Sequence, residues 1–325
     1  MRNPPLIRIA FFRPVRLFCG GTAGKKRKNL LPNWPGSYNA NMTTLSPQGR
    51  PFLKMHGLGN DFVVLDARAT PIAVPPQAAR AIGDRRTGVG FDQLVVLEPP
   101  RDKLADVFMR ILNNDGSEAG ACGNATRCVA WFLMQENGKD HALIETVSGL
   151  LDAQAAGDHM VSVDMGPARL DWRELPLSQA VDTNHLPVSA PVDGAQDAVG
   201  VSMGNPHAVF FVPDAEAVPL AQIGPAIEHH PLFPERTNVE FATILGPEKI
   251  RMRVWERGSG ITQACGTGAC ATLVAAARRG LTGRKAEVVL DGGSLFIEWL
   301  KDDHVLMTGP VALAYAGVLD ASLLP

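Results

Sequence analysis

The amino-acid sequence predicts an α/β (α+β) protein of two pseudo-symmetric lobes built from a duplicated unit. Strand-length apolar runs alternate with a few helices, and the series in the first half returns in the second. The two halves also match at a nearly fixed offset. Met109-Arg110-Ile111-Leu112 returns as Met252-Arg253-Val254-Trp255, 143 positions on, and Ala121-Cys122-Gly123 as Ala264-Cys265-Gly266, also at 143. Gly59-Asn60 recurs as Gly204-Asn205 at 145, and Gly166-Pro167 as Gly309-Pro310 at 143. Four matches in one order indicate duplication. Finally, each half sets Ala-Cys-Gly at the mouth of a helix rich in Ala, Val and Leu.

Taken in order, residues 1–50 stand apart. They carry nine Lys and Arg and no acid, include Lys25-Lys26-Arg27-Lys28, and show no sustained period. A targeting presequence and a basic binding tail are two readings. The plainer one is a disordered extension, with Met42 or a nearby codon as the true start. Folded sequence is expected from Pro51. Phe52 to Met55 reads as a strand into the glycine turn His56 to Asn60, and Asp61 to Leu65 as a strand out of it. Pro76 to Arg86 reads as a helix, Gln93 to Leu97 and Asp106 to Leu112 as strands, and Asn113 to Gly116 as a turn. A helix follows from about Asn124 to Gln135, with Val129, Phe132 and Leu133 on one face. Strands are expected at Ala142 to Val147 and Met160 to Val163.

Gly166 to about Ala195 is rich in Pro and turn residues and marks the expected boundary. The N-terminal lobe is then 51–166 plus 312–325, and the C-terminal lobe 167–311. In the second lobe, Val199 to Met203 and Ala208 to Val212 flank the turn Gly204-Asn205-Pro206-His207. Pro219 to Glu228 reads as a helix, and Val239 to Ile244 and Ile250 to Glu256 as strands. A glycine turn leads to Cys265 and a helix ending near Gly280, with strands to the C-terminus.

Composition narrows the function. An apolar fraction of 46% and a charged fraction of 20% are those of a soluble globular protein. No apolar run approaches the roughly 18 residues of a membrane helix. Outside residues 1–50 the chain carries a net charge of −11, which argues against nucleic acid. Five cysteines without a CxxC pair signal neither a disulfide framework nor a zinc site. Reduced thiols in a cytoplasmic protein are the simplest reading.

A thiol at a helix N-terminus favours the thiolate, because the helix dipole and the unsatisfied N–H groups stabilise negative charge. The same N–H groups bind a carboxylate. Gly123-Asn124 and Gly266-Thr267 would form two such amide pockets beside Cys122 and Cys265, and two facing lobes would bring them to a shared cleft. A substrate α-carboxylate held there would leave its α-carbon between the sulfurs. One could remove the α-proton while the other delivers a proton to the opposite face. Cys19, Cys128 and Cys270 read as small buried hydrophobes, the common fate of Cys.

The chain from Pro51 to about Ala316 resembles the diaminopimelate epimerase family. The resemblance rests on Met55-His56-Gly57-Leu58-Gly59-Asn60-Asp61-Phe62, Gly90 to Leu94, Asn114 to Glu118, Ala121 to Asn124, Gly204-Asn205-Pro206-His207, Glu256-Arg257-Gly258 and Thr262 to Cys270. It implies lobes that each wrap a curved, mostly antiparallel sheet around a central helix. It implies an isomerase, independent of any cofactor or metal, that interconverts L,L- and meso-diaminopimelate in lysine and peptidoglycan precursor synthesis. Cys122 and Cys265 are the implied acid/base thiols, and a homodimer the implied assembly. Asn60, Gln93, Asn113, Gly123, Asn124, Asn205, Asn238, Glu256, Arg257, Gly266 and Thr267 are the implied substrate-binding residues. His207 and Glu256 are candidates to tune the thiols, while His56 reads as structural. Thr267 stands where Ser is usual in the family.

Other classes are distinguishable. A proline or hydroxyproline racemase shares paired thiols on the same architecture but would not carry His56 to Phe62 or Glu256-Arg257-Gly258 in this form. A thiol redox protein would join Cys122 and Cys265 reversibly. A non-enzymatic amino-acid-binding module would bind without proton exchange.

Overall fold

The computed structural model describes residues 49–120 and 122–324. The expectations for Cys19 and for the extension up to residue 48 lie outside the described residues. In chain order the elements are β1 (Arg50–Gly57), β2 (Asn60–Asp66), α1 (Pro76–Gly83), β3 (Gln93–Glu98), β4 (Val107–Asn113), β5 (Glu118–Ala119) and α2 (Gly123–Asn137). Next come β6 (His141–Thr146), β7 (Gly149–Gly157), β8 (Met160–Pro167), β9 (Val199–Ser202), β10 (Pro206–Phe211), α3 (Leu220–Glu228) and β11 (Asn238–Gly246). The chain ends with β12 (Lys249–Glu256), β13 (Gly260–Ile261), α4 (Gly266–Arg278), β14 (Lys285–Leu290), β15 (Gly293–Trp299), β16 (His304–Pro310) and β17 (Ala312–Leu319).

The duplication is legible in this order. The series from β1 to β8, with α1 and α2 at its third and seventh places, repeats from β9 to β16 with α3 and α4. Strand pairings repeat with it. β2 and β3 pair in parallel, as do β10 and β11. β3 and β4 pair antiparallel, as do β11 and β12. β4 and β6 are parallel, as are β12 and β14. The parallel pairs follow from the helices between their strands, because a parallel neighbour needs a crossover connection. The fold is mixed and sheet-dominated α+β.

The chain divides into two compact units. One holds Asp61–Ala155, the described residues up to His56 and those from Val311 onward; the other holds Gly57–Asn60 and Ala156–Pro310. β8 therefore falls in the second unit, whereas the expected boundary at Gly166 set it in the first. The reason is pairing: β8 lies antiparallel to β16, and β17 returns to β1. The Pro-rich stretch after Gly166 is also no bare linker, because Leu175, Leu177, Leu186 and Val188 enter the core of the second unit.

A helix sits at the centre of each unit. In α4, Ala269, Cys270, Ala271, Thr272, Leu273, Val274, Ala275 and Ala276 are all fully buried. A helix apolar on every side must be covered on every side. The alanines let the strands approach closely, and Val209, Ala242, Met252, Val288, Leu295 and Met307 close around them. In α2, Ala125, Cys128, Val129 and Ala130 are buried likewise. Cys128 and Cys270 are therefore core residues, and burial pushes the Cys128 thiol up to about 12. On the opposite face of the second unit's strands, Phe210 and Phe241 stack at 5.0 Å beneath α3.

In the first unit, Asp61 ties β1 to the loop after α1. Lys54 Nζ lies 2.5 Å from Asp61 Oδ2, and Arg85 donates to both Asp61 oxygens at 2.8 and 3.0 Å. Burial works to raise the Asp61 carboxyl, but the Arg85 and Lys54 bonds outweigh it and hold it at about 2, below its ordinary 3.8. A depressed folded-state pKa contributes stability above the unfolded value and loses it as pH falls toward the folded one. Stability should therefore drop between about pH 4 and pH 2, and Asp61→Asn should flatten that slope in acid titrations followed by circular dichroism. A slope unchanged in the variant would refute the assignment.

Gly224 offers a second check. Alanine is the better helix former by about 1 kcal/mol. A Cβ at Gly224 in α3, however, would lie 2.6 Å from the Trp255 ring. Overpacking of this kind costs roughly 1–3 kcal/mol. Gly224→Ala is expected to lower the urea midpoint rather than raise it.

Candidate active site

Cys122 and Cys265 occupy one position in two copies: each is the N-cap of its unit's central helix, in extended backbone, with Gly as the first helical residue. The first N–H groups of a helix have no partner within it. Glycine lets a ligand approach them. Cys122 is partly exposed and Cys265 buried.

In the first unit, the Cys122 carbonyl accepts from the Thr126 N–H and hydroxyl, both at 2.9 Å, which seats the first turn of α2. Asn124 is buried, and its Oδ1 accepts from Arg127 Nη2 at 2.8 Å. Arg127 is itself wholly buried, an anchor that the sequence reading missed. Gln93 and Asn113 face each other across β3 and β4, with Gln93 Nε2 donating to Asn113 Oδ1 at 3.2 Å. Asn113 Nδ2 donates to Ser117 Oγ at 3.0 Å.

In the second unit, alternation along the strands decides what reaches α4. Val209 and Ala242 belong to the core around α4, while Ala208, Phe210, Val239 and Phe241 face the other way. By parity, His207 and Glu240 stand on the α4 side. Both are 0% exposed, and His207 Nδ1 lies 2.7 Å from Glu240 Oε1. His207 Nε2 lies 3.1 Å from Asn205 Oδ1, and Asn205 Nδ2 donates to Thr267 Oγ1 at 3.3 Å.

Cys265 Sγ accepts from the Gly268 N–H at 3.3 Å and lies 3.6 Å from Thr267 Oγ1. Its thiol also bonds to Glu256. Burial, then the charges of Glu256 and Glu240, push this thiol well above its ordinary value, against the Thr267 and Gly268 bonds. Cys265 is therefore a thiol at rest, which reverses the thiolate expected from its helix position alone. Burial likewise raises Glu256, against hydrogen bonds from Thr262 and Cys265.

Asn238 acts as a clamp. Its Nδ2 donates to the Pro206 carbonyl and its Oδ1 accepts from the Arg257 N–H, both at 2.9 Å. It thus ties the Asn205 turn to the Glu256-Arg257-Gly258 turn. Glu228, not singled out in the sequence, adds a second tie by accepting from Gly258 N at 3.0 Å and Trp255 Nε1 at 2.7 Å. Asn60 follows the turn Leu58-Gly59, where both residues have positive φ. That turn packs so closely that a Cβ on Gly292 would lie 2.0 Å from the Leu58 carbonyl oxygen. His56 lies at the end of β1.

The structure thus gathers Asn60, Asn205, His207, Asn238, Glu256, Arg257, Gly266 and Thr267 in the unit of Cys265, and Gln93, Asn113, Gly123 and Asn124 in the unit of Cys122. Glu240 is a further ionisable residue, after Arg127 and Glu228, that the sequence did not single out. Its one signal was an acid inside the apolar run after Asn238. Among the described residues there is no cluster of three or more His, Cys, Asp or Glu that could hold a metal, and no helix is long and apolar enough to cross a membrane.

Exposure and charge separate the two thiols chemically. At pH 7.5, iodoacetamide should modify Cys122 at least about ten-fold faster than Cys265, as read by peptide mapping; equal rates would contradict the burial of Cys265.

The family model for diaminopimelate epimerase matches residues 52–170 and 199–314. The diaminopimelate epimerase of Rhodospirillum centenum is 64% identical over 276 residues, covering 85% of this chain and 94% of the relative. That of Phenylobacterium zucineum is 58% identical, covering 83% and 98%. Among solved structures, a hydroxyproline epimerase from Agrobacterium vitis aligns with a TM-score of 0.60 at 16% identity, covering 84% of this chain and 91% of that one. A phenazine biosynthesis protein of the PhzF family from Enterococcus faecalis aligns at 0.58 and 15%, covering 83% and 98%. These two share the fold.

Proposed function

The chain belongs to the diaminopimelate epimerase family, and we propose that it inverts the α-carbon of diaminopimelate with Cys122 and Cys265 as its two acid/base thiols. It is an isomerase, interconverting the L,L and meso forms, a step of lysine and peptidoglycan precursor synthesis. The observation that carries the thiol assignment is their equivalence: each caps a central helix with Gly at its first position.

The N–H groups of Gly266-Thr267 and Gly123-Asn124 are the proposed holders of the reacting α-carboxylate. They stabilise the negative charge that grows on it as the α-proton leaves. In one direction the Cys122 thiolate takes that proton while the Cys265 thiol gives its own to the opposite face. After turnover Cys122 carries a proton and Cys265 is ionised, ready for the reverse reaction. Glu256 already accepts a hydrogen bond from the Cys265 thiol. It is therefore placed to take and return that proton between turnovers, and His207 tunes it from the side. Asn60, Gln93, Asn113, Asn205, Asn238 and Arg257 are the proposed contacts to the rest of the substrate, Arg257 suiting a carboxylate. The family reading makes the working form a cytoplasmic homodimer.

Incubation in deuterium oxide with each isomer should exchange the α-proton of diaminopimelate and invert it. Cys122→Ser and Cys265→Ser should each lower inversion by about 10²- to 10⁴-fold. Exchange into proline and not diaminopimelate, or full inversion by either variant, would overturn the proposal.

A further inference from the structure

Glu240 has no part in the scheme above, yet it is one of the most costly placements in the second unit. A carboxylate fully removed from water needs a partner for its charge. Oε1 has one in His207. Oε2 is buried with no hydrogen-bond partner. The group lies directly under the first turn of α4, where a Cβ on Gly268 would come within 2.8 Å of Oε1. A side chain at 268 would thus have to displace the acid beneath it.

From Glu240 a continuous hydrogen-bonded chain runs to the proposed acid/base thiol. It passes through His207 (2.7 Å), Asn205 (3.1 Å), Thr267 (3.3 Å) and Cys265 Sγ (3.6 Å). Donor and acceptor chemistry fixes its direction. An ionised carboxylate only accepts, so His207 Nδ1 carries a hydrogen. Nε2 faces the Asn205 carbonyl oxygen, another acceptor, so Nε2 carries one as well. The ring is then an imidazolium whose charge offsets Glu240. Asn205 has spent its oxygen on His207 and turns its amide nitrogen to Thr267. That nitrogen only donates, so Thr267 Oγ1 accepts there and its own hydrogen is left for the sulfur. Running the chain the other way would require the Asn205 amide to turn over and the imidazole to give up a proton.

We propose that Glu240 is a positioning residue: by holding His207 as an imidazolium it sets the chain's direction, so that the Thr267 hydroxyl donates to Cys265 Sγ. This rests on reading Cys265 as one of the two acid/base thiols. The need is specific to the half-reaction in which Cys265 is the base. A bare thiolate there would face two acids, Glu256 and Glu240, both of which oppose its charge. The imidazolium cancels one of them. The Thr267 hydroxyl and the Gly268 N–H give the sulfur two donors, as a thiolate requires. When Cys265 is the acid, its proton turns to Glu256 and the same two donors remain. One fixed chain thereby serves both states of the sulfur. The ionisable groups that face His207 are Glu240 on β11 and Glu256 at the end of β12; Cys265, at the start of α4, stands against both acids.

The test has two arms on the intact protein. In the first, ¹⁵N NMR of the histidine rings at pH 7, with His207 assigned by its loss in His207→Gln, should show both ring nitrogens protonated. In Glu240→Gln the ring should be neutral at the same pH, with one nitrogen protonated. In the second, Glu240→Gln should lower kcat about ten-fold at pH 8 and recover toward wild type at pH 6, with KM changed less than about three-fold. Thr267→Val should lose kcat similarly and Thr267→Ser retain it, which keeps the last link testable if Glu240→Gln does not fold. A neutral His207 in the wild-type protein at pH 7, or a Glu240→Gln pH profile parallel to wild type, would overturn the proposal. Failure of the wild-type protein to exchange diaminopimelate would instead sink the epimerase reading. The wild-type NMR result would still decide the charge of His207.

Discussion

A buried helix must begin somewhere, and its first N–H groups must find partners. The second unit resolves this at Cys265. Ser, Thr, Asp or Asn would be the usual cap, and its oxygen would hold the first turn firmly. Here sulfur, a weaker acceptor, takes the Gly268 N–H. Gly266 and Thr267 follow without bulk, and the helix dipole stays directed at whatever lies ahead of the turn. The small residues behind it follow from the same constraint, because α4 can be enclosed by strands only if its flanks are narrow.

That enclosure sets the electrostatics. Burial alone makes a thiolate costly, so it overrides the helix-dipole argument at Cys265. The acids around the sulfur deepen the effect rather than relieve it. Cys265 therefore keeps its proton at rest. The two helix starts are equivalent in backbone but not in surroundings: Cys122 is partly exposed, and Asn124 beside it is braced by a buried arginine. The two copies of the unit thus differ in what surrounds their equivalent cysteines.

Much of this was legible in the sequence, and the limits are physical. The Ala-Cys-Gly turns announced both helix starts because only a sharp entry into an apolar helix explains that pattern twice. The near-constant offset of 143 to 145 foretold equivalent strands, and in the structure Gln93 opens β3 and Asn113 closes β4 as Asn238 opens β11 and Glu256 closes β12. Glu240 stayed hidden because a single acid within Asn238 to Ile244 reads as an outward-facing residue; only the pairing with β10 turns it toward α4. β7 was missed because Gly149–Gly157 is largely exposed and shows no clean alternation. The segment after Gly166 read as a linker because turn residues dominate it. Its few leucines and valines count only once a surface exists for them to cover.

The exchange of final strands carries a consequence for how the chain is made. β1 pairs with its neighbour β2 and with the distant β17, where Arg50 stands opposite Leu319. The first unit, although its other strands are synthesised first, lacks β17 until the strands of the second unit have been made. The second unit, completed by β8 and β16, has all its strands a few residues sooner. Contacts as distant in sequence as those of β1 with β17 form slowly. The N-terminal half is therefore completed by a C-terminal segment, which pairs with its first strand.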